Sequence, residues 1–277
     1  MKRLCVIGDP IAHSKSPLIQ NTMLKALGLD YEYGAQLVPG DQTAQWLARA
    51  KAEGYAGFNA TMPHKEHLVP LMDELSDDAR MYGAVNTVCI RDGKAIGHNT
   101  DGAGSLQALK EAGMDPAGRR VLVLGAGGAA KAVVPKLVQG GAGAVFLCNR
   151  TRERAAALCA WDDGGRLSPA DFTPETLKRL AAQCSLVINC TSLGMSGTSG
   201  QFESFDFLDT LPAGSGVFDL IYSPAETELL RQARLRGHRT ANGLGMLIWQ
   251  AIFALEHFTD TKIDGRVMAR LVEEALK

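Results

Sequence analysis

The sequence predicts an α/β fold with two domains. Short apolar runs, such as residues 3–8 (RLCVIG) and 144–151 (AVFLCNRT), alternate with segments of helical periodicity, and this alternation is typical of α/β layers. The chain has 277 residues, enough for two domains of about 150 residues each. The stretch VLVLGAGGAA at 121–130 places a glycine turn between a strand and a helix, which predicts a Rossmann domain in the second half.

Composition and charge give no reason to expect nucleic acid or a membrane as a partner. The formal net charge is -1, and 46% of the residues are hydrophobic, so each half can bury a core. The first apolar run ends at Gly8, too early for a signal peptide, and no run approaches the roughly 18 residues of a spanning helix. The six cysteines form no CxxC pair and mostly lie in apolar runs. We therefore expect free thiols and a cytoplasmic protein.

The first half predicts alternating strands and helices. We expect strands at 3–8, 30–38 and 55–61, helices at 16–29 and 43–54, and a hairpin at 84–100 that turns at Asp92–Gly93. The helix at 16–29 would have Ser16 as its N-cap and Pro17 as its first helical residue. Residues 65–83 have a helical pattern that is broken near Pro70.

The second half predicts the same alternation with sharper turns. Residues 119–142 have the pattern of a strand, a glycine turn and a helix, and a strand at 144–151 and a helix at 151–161 follow. Further strands are expected at 185–190, 216–222 and 238–242. The segment from 243 to 258 is strongly apolar and predicts a buried helix.

The glycine turn predicts a dinucleotide site. Gly125, Gly127 and Ala130 fit the G-x-G-x-x-G/A pattern, in which backbone N–H groups at a helix N-terminus meet a pyrophosphate. A plain strand-to-helix turn is the alternative, but the flanking strand and helix favour cofactor binding. No GK[ST] follows, so the turn is not a P-loop.

The end of the next strand favours NADP over NAD. An NAD site usually has Asp or Glu there to bind the ribose 2′-hydroxyl, but this chain has NRTRER at 149–154. Arg150 could pair with a 2′-phosphate and stack on adenine. A solvated basic helix start is the alternative, although an arginine in the first turn opposes the helix dipole.

Polar side chains in the first half predict a site for a small polyhydroxylated acid. Two serines lie on the loop after the first strand, and amides, a hydroxyl, one lysine and one aspartate follow later strands. These residues are Ser14, Ser16, Asn59, Thr61, Lys65, Asn86, Asn99 and Asp101.

At this point the sequence closely resembles the shikimate dehydrogenase family. Eight blocks match in order and spacing between residues 8 and 251: GDPIAHSKSP, GFNATMPHK, GAVNT, GHNTDG, GAGGAA, NRT, NCTSLGM and NGLGMLIWQA. The resemblance implies reversible hydride transfer between NADPH and the ketone of 3-dehydroshikimate, a step of aromatic amino-acid and chorismate biosynthesis. It also implies a substrate domain at 1–101 plus 243–277 and an NADP domain at 102–242, in a monomer or homodimer.

The resemblance also implies residue roles. Lys65 and Asp101 match the catalytic pair. The substrate residues would be Ser14, Ser16, Asn59, Thr61, Asn86, Tyr222 and Gln250. The cofactor residues would be Gly125, Ala126, Gly127, Gly128, Ala129, Asn149, Arg150, Thr151, Arg154, Thr191, Leu220 and Gly243. Two positions depart from the common family pattern: Gln20 stands where members often have His, and Ala60 where they often have Val.

The chemistry of ketone reduction fits these roles. A hydride must reach carbon and a proton must reach oxygen, and a lysine, with a reference pKa of about 10.4, is protonated at neutral pH. Lys65 could donate the proton or stabilise the alkoxide, with Asp101 orienting it; Asp101 itself could instead carry the proton. Taken singly, Lys65 could be a surface lysine and Asp101 an N-cap.

Three alternatives accompany this prediction. His64 and His67 are three residues apart and could share a helical face, but no further ligand is placed by a motif, so no functional metal is expected. Quinate is the rival substrate, disfavoured by Ser16 and by the NADP-type NRTR stretch. A metabolite sensor without turnover is less favoured, because Lys65 and Asp101 are both present.

Overall fold

The computed structural model describes all residues from Met1 to Lys277, and the chain forms two compact units. The first contains Met1–Gly104 and Ile248–Lys277, and the second contains Ser105–Leu247. Each unit holds a six-stranded sheet. The predicted α/β class is therefore confirmed.

The first unit is a mixed sheet flanked by helices, with strand order β2-β1-β3-β5-β6-β4. Its strands are β1 (Lys2–Gly8), β2 (Tyr31–Leu37), β3 (Tyr55–Ala60), β4 (Glu74–Leu75), β5 (Thr87–Arg91) and β6 (Lys94–His98). Its helices are α1 (Ser16–Ala26), α2 (Thr43–Ala52), α3 (His64–His67), α4 (Asp77–Tyr82) and α11 (Gly265–Ala275). Helices α5 (Asp101–Glu111) and α10 (Leu244–Thr259) each contain one boundary between the units.

The register of the first sheet gathers polar residues at one edge. Strands β1 and β3 are parallel, whereas β5 runs antiparallel to β3 and to β6. The carboxyl ends of β1, β3 and β6 therefore meet the start of β5, where Asn59 pairs with Thr87 and Thr87 with His98. Beneath this edge an apolar core, which includes Phe58 and Trp46, holds the strands in place.

The second unit is an all-parallel sheet with the order β12-β11-β10-β7-β8-β9. Its strands are β7 (Arg120–Leu124), β8 (Ala144–Asn149), β9 (Leu167–Asp171), β10 (Leu186–Asn189), β11 (Gly216–Asp219) and β12 (Arg239–Ala241). Its helices are α6 (Gly128–Gln139), α7 (Arg152–Cys159), α8 (Pro174–Ala181) and α9 (Glu228–Leu235). This is the Rossmann order, with its switch point between β7 and β10, where ligands bind beyond the carboxyl ends of the strands.

Three sequence predictions differ from the structure. Ser16 is the first helical residue of α1 rather than its N-cap, a position held by Lys15 without a side-chain bond. Residues 65–83 are not one broken helix, because the extended strand β4 separates α3 from α4. Strand β9 and the helices α5, α8 and α9 were not predicted from the sequence, and Pro169 within β9 obscured the strand pattern.

The cysteine prediction agrees with the structure. All six cysteines are free, and five of them are buried. None of the helices is both long enough and apolar enough to span a bilayer.

Candidate active site

The centre of the first unit is an ion pair between Lys65 and Asp101. Lys65 Nζ lies 2.5 Å from Asp101 Oδ2, and the two side chains are 33% and 16% exposed. Asp101 is the first residue of α5, where a carboxylate interacts favourably with the helix dipole. Its other oxygen, Oδ1, accepts a hydrogen bond from Asn86 Nδ2 at 2.9 Å. Asn86 thus holds one oxygen of the Asp101 carboxylate, and the other oxygen binds the ammonium group of Lys65.

Asn86 is the hub of the polar network around this pair. It is 2% exposed. Its Nδ2 group donates to Thr100 Oγ1 and Asp101 Oδ1 and lies 3.4 Å from Gln250 Oε1. Its Oδ1 accepts from Thr87 Oγ1 and from the Thr100 backbone N–H. Asn86 therefore orients Asp101, and its donors are already engaged in this structure.

The side chain of Asn59 also forms several hydrogen bonds within the unit. The Tyr33 hydroxyl donates to Asn59 Oδ1 at 2.6 Å, and Asn59 Nδ2 donates to the Asn86 carbonyl and to Thr87 Oγ1. Burial raises the pKa of the Tyr33 phenol, so this hydroxyl stays protonated and remains a donor. Binding of a substrate hydroxyl by Asn59 would use the second lone pair of Oδ1 or replace one of these partners.

Thr61 and Ser14 lie on loops at the same edge of the sheet, and Ser16 begins α1 there. The Thr61 backbone N–H donates to the Ile7 carbonyl at 3.0 Å, which places Thr61 beside the end of β1. A Cβ atom at Gly8 would come within 2.5 Å of Thr61 Cγ2, so this approach requires glycine. Ser14 Oγ accepts from the Ser16 backbone N–H at 3.3 Å, and both serines are half-buried.

Gln250 reaches the network from α10. A Cβ atom at Gly104 would lie 2.7 Å from the Gln250 backbone nitrogen, so glycine on α5 lets the two helices approach closely. The structure thus brings Lys65, Asp101, Asn86 and Gln250 together, with Asn59 adjoining them. Tyr222 belongs to the second unit and is 38% exposed. Three members of the network, Tyr33, Thr87 and Thr100, were not predicted from the sequence, although the two threonines lie within the blocks GAVNT and GHNTDG.

The two histidines next to Lys65 have defined partners. His64 is fully buried, and its ring nitrogens contact Thr43 Oγ1 at 2.7 Å and the Val38 carbonyl at 2.9 Å. His67 Nδ1 lies 3.1 Å from the Gly40 carbonyl. No group of three or more His, Cys, Asp or Glu side chains is placed to hold a metal ion.

The glycine turn of the second unit has the geometry that a pyrophosphate requires. Gly125 has φ +97°, and a Cβ atom there would lie 2.7 Å from Thr191 Cγ2. Helix α6 begins at Gly128 with Gly127 as its N-cap and no side-chain cap, so its first N–H groups are available to an anion. Gly127, Gly128 and Ala129 are exposed, whereas Ala126 is buried.

The segment after β8 lies beside this turn, because β7 and β8 are parallel neighbours. Asn149 Oδ1 accepts from the Ala126 backbone N–H at 3.1 Å, and Asn149 Nδ2 donates to the Thr151 carbonyl at 2.8 Å. Arg150, Thr151 and Arg154 are exposed. Asn149 therefore fixes the glycine turn, and the exposed side chains are left for a ligand.

A buried carboxylate, Asp219, organises the other side of the turn. Its oxygens accept from Asn189 Nδ2, Thr227 Oγ1 and the Ile221 N–H. Asn189 Oδ1 in turn accepts from the Thr191 hydroxyl at 2.6 Å. Burial raises the pKa of Asp219, against the lowering effect of these hydrogen bonds. Asp219 was not predicted as a site residue, because an aspartate at the end of a buried strand carries no motif of its own.

Leu220 and Gly243 pack directly against each other. A Cβ atom at Gly243 would collide with the Leu220 carbonyl oxygen, and the Gly243 N–H donates to the Ile221 carbonyl at 3.1 Å. Glycine is therefore required at 243 by backbone packing.

The fold and these two polar clusters define the class of protein: an α/β oxidoreductase with a Rossmann unit and a second α/β unit that carries a lysine–aspartate pair. The sequence profile of the shikimate dehydrogenase substrate-binding domain matches residues 6–88, and that of shikimate/quinate 5-dehydrogenase matches residues 107–195. The chain is 41% identical to the shikimate dehydrogenase (NADP(+)) of Geobacter metallireducens over 99% of this chain and 96% of that protein. The chain belongs to the shikimate dehydrogenase family, as the sequence predicted.

Solved structures of related proteins have the same fold. One is the shikimate 5-dehydrogenase of Thermus thermophilus in complex with NADP(H) and shikimate, with 34% identity, a TM-score of 0.87 and coverage of 99% of this chain and 100% of that one. Another is the ligand-free 5-ketofructose reductase of a Gluconobacter strain, with 31% identity, a TM-score of 0.85 and coverage of 99% and 98%. Proteins of this fold thus include a shikimate 5-dehydrogenase and a 5-ketofructose reductase.

Proposed function

We propose that this protein is an NADP-dependent shikimate dehydrogenase that reversibly reduces 3-dehydroshikimate to shikimate. The observation that carries the proposal is the Lys65–Asp101 pair, 2.5 Å apart, in a chain that belongs to this family. The related protein from Geobacter metallireducens bears the name shikimate dehydrogenase (NADP(+)). The exposed Arg150 and Arg154 beside the glycine turn support the same cofactor, because they suit a 2′-phosphate.

The chemistry follows from the ion pair. When bound, NADPH would supply the hydride that adds to the ketone carbon. Lys65 donates the proton that the oxygen needs, and Asp101 holds the ammonium group in place. In the oxidation direction the neutral amine takes the proton from the hydroxyl. The alternative is that Asp101 transfers the proton. In that case the proton would pass through Oδ2, which contacts Lys65, because Oδ1 is bonded to Asn86.

The remaining predicted residues supply binding and orientation. Ser14 and Ser16 would bind the carboxylate, since hydroxyl and backbone donors at the start of α1 favour an anion. Thr61, Asn59, Asn86 and Gln250 would bind ring hydroxyls, and Tyr222 would assist. The cofactor would meet Gly125–Ala129 at the start of α6, together with Asn149, Arg150, Thr151 and Arg154 at the end of β8 and after it. Leu220 and Gly243 would line its nicotinamide, and Thr191 would also bind the cofactor.

The two compact units suggest that the substrate and the cofactor bind mainly to different domains. We propose that residues 1–101 with 243–277 form the substrate domain and that residues 102–242 form the NADP domain. The distribution of polar residues supports this, because six of the seven proposed substrate residues belong to the first unit. A monomer or homodimer in the cytoplasm completes the proposal.

The test is a substrate panel followed at 340 nm. With NADPH, we expect rapid reduction of 3-dehydroshikimate and slow or no reduction of 5-ketofructose. With NADP+, we expect oxidation of shikimate to exceed that of quinate. Preference for quinate would support the catabolic alternative, preference for 5-ketofructose would reject the proposed substrate, and binding without turnover would support a sensor.

A further inference from the structure

The helix that carries Lys65 is too short to hold its own orientation. Helix α3 is a single turn, His64–His67, between Pro63 and a second short helical turn at Val69–Leu71. One helical turn fixes several backbone dihedrals for very few hydrogen bonds and is unstable by itself. The direction in which Lys65 points must therefore be set by contacts with other parts of the unit.

His64 supplies two of these contacts. It is fully buried, and both ring nitrogens are used: Nε2 lies 2.9 Å from the Val38 carbonyl, and Nδ1 lies 2.7 Å from Thr43 Oγ1. Val38 lies between β2 and α2, and Thr43 is the first residue of α2; both are more than 20 residues earlier in the chain. Gly40 in the same segment accepts a further contact from His67 at 3.1 Å.

The partners determine the protonation of the ring. A carbonyl only accepts, so Nε2 carries the hydrogen that reaches Val38. Burial lowers the pKa of His64, so the ring is neutral at pH 7. Its unprotonated Nδ1 shares the Thr43 hydroxyl with the Gly40 carbonyl, to which that hydroxyl donates at 2.9 Å. A neutral ring with these two bonds at different edges cannot turn without breaking one of them. An apolar side chain of equal volume would fill the space but would not fix the turn.

On the other side of α3, the backbone of Lys65 is held as well. The Val85 N–H donates to the Lys65 carbonyl at 2.8 Å, next to Asn86, which orients Asp101. The turn is thus fixed by His64 on one side and by Val85 on the other.

We propose that His64 is a positioning residue, whose two hydrogen bonds to Val38 and Thr43 hold the single-turn helix so that Lys65 meets Asp101. The proposal rests on the proposed function only in that Lys65 transfers the proton. His64 touches neither Lys65 Nζ nor Asp101 through its ring contacts, so it acts through the backbone of the turn.

The decisive variant is His64→Phe, which keeps an aromatic ring and removes both hydrogen bonds. We expect kcat for shikimate oxidation to fall at least tenfold. The KM for NADP+ should stay within twofold, because the predicted cofactor residues lie in the other unit. Thr43→Val removes, at nearly constant volume, the contact of the hydroxyl with His64 Nδ1 and its bond to the Gly40 carbonyl, and it should lower kcat by about two- to fivefold. The matched control is His67→Phe, an exposed neighbour with one contact, which should stay within twofold of wild type.

A second measurement does not depend on turnover. Competitive acetylation with mass spectrometry compares the labelling rate of Lys65 with that of the exposed Lys94. The pairing with Asp101 protects Lys65, so His64→Phe should raise its relative labelling rate severalfold, and Thr43→Val should raise it less. A higher labelling rate of Lys65 in His64→Phe would support the positioning role even if the wild-type protein did not oxidise shikimate. Absence of shikimate oxidation would reject only the proposed function.

Unchanged Lys65 labelling and a kcat within twofold of wild type in His64→Phe would overturn the proposal. If His64→Phe does not fold, Thr43→Val decides in its place: unchanged labelling and unchanged kcat would then reject the positioning role. A rise in KM for NADP+ equal to the fall in kcat would also reject it, since that would indicate a general loss of structure.

Discussion

Lys65 is the residue on which the proposed chemistry depends most. Its ion-pair partner in the structure is Asp101, at 2.5 Å, and proton transfer by a placed side chain is worth about 10²–10⁴ in rate. We expect Lys65→Ala to lower kcat by about 10³-fold, measured as NADP+ reduction with shikimate. NADP+ affinity, measured by fluorescence quenching, should stay within twofold. Lys94→Ala, which removes an exposed lysine paired with Glu74 in the same unit, should keep wild-type activity.

Arg150 tests the cofactor assignment at the same scale. If its guanidinium binds the 2′-phosphate, Arg150→Ala should raise the KM for NADP+ by about 10- to 100-fold and leave the KM for NAD+ unchanged, because only NADP+ carries that phosphate. Arg152 is the matched control, since it pairs with Asp171 at 3.6 Å. Arg152→Ala should change neither KM by more than about twofold. Equal effects of Arg150→Ala on both cofactors would contradict the assignment.

Single residues also mark the limit of what the sequence could predict. The motif blocks identified Lys65, Asp101 and Asn86 as polar site residues, but not that Asn86 would have its donors occupied by Thr100 and Asp101. Side-chain hydrogen bonds between residues distant in sequence leave no periodic pattern. Tyr33 and Asp219 were missed for this reason: each is a single polar residue in an otherwise ordinary strand.

At the level of elements, strand β6 and helix α10 meet through two stacked histidines. The rings of His98 and His257 lie 4.0 Å apart with an interplanar angle of 16°. Burial, together with the charges of His257 and Arg91, lowers the pKa of His98 to about 4. Burial also lowers the pKa of His257. Both rings are therefore neutral in the folded protein at pH 7.

The stacked pair predicts acid sensitivity. The unfolded chain protonates these histidines near pH 6.5, whereas the folded chain holds His98 neutral down to about pH 4. Between these values the unfolded state binds more protons, so the free energy of unfolding falls as the pH drops from 6.5 to 4. His98→Gln should reduce that loss by about 1–2 kcal/mol, allowing for partial solvent screening. Urea unfolding at pH 7 and pH 5 measures this loss of unfolding free energy, and His13→Gln, at an exposed histidine, is the control. An unchanged pH dependence in His98→Gln would contradict the assignment.

The loop network at the ends of β10 and β11 predicts a stability effect in the second unit. Asp219→Ala would leave the Thr227 hydroxyl, the Asn189 amide and the Ile221 N–H without their acceptor. Each unsatisfied buried donor costs about 1–3 kcal/mol, so we expect a loss of about 3 kcal/mol or more in thermal unfolding, with weaker NADP+ binding. Asp209→Ala, which removes an exposed partner of Arg236, should cost less than about 1 kcal/mol. Equal losses in the two variants would refute the role of Asp219.

Elements were predictable where local pattern and tertiary packing agree. The glycine turn and α6 appeared as expected, and so did the β5–β6 hairpin, in which Asp92 and Gly93 both have positive φ. Residues 65–83 were not predictable, because Glu74 and Leu75 pair with Ile96 and Gly97 of β6. That pairing overrides a local helical pattern. The predicted N-cap of α1 was wrong by one residue. Ser16 is itself helical, and its N–H donates to Ser14 Oγ.

For the whole molecule, the sequence predicted the α/β class and the family, and the structure adds the strand orders. The Rossmann order of the second unit explains why Gly125 and Thr191 lie together: they follow β7 and β10, the two strands at the switch point. The mixed sheet of the first unit explains why Lys65, Asn86 and Asp101 meet, since antiparallel pairing brings the start of β5 to the end of β3. Neither order can be read from the spacing of motifs alone.

The most direct test of the central claim is the initial rate of NADP+ reduction with shikimate, for wild type and Lys65→Ala side by side. The proposed function and mechanism together predict fast, saturable turnover by the wild type and a loss of about 10³-fold in the variant, with NADP+ binding retained. A rate of NADP+ reduction by Lys65→Ala within tenfold of the wild-type rate would contradict the mechanism. No turnover of shikimate by a wild-type protein that binds NADP+ would contradict the function itself.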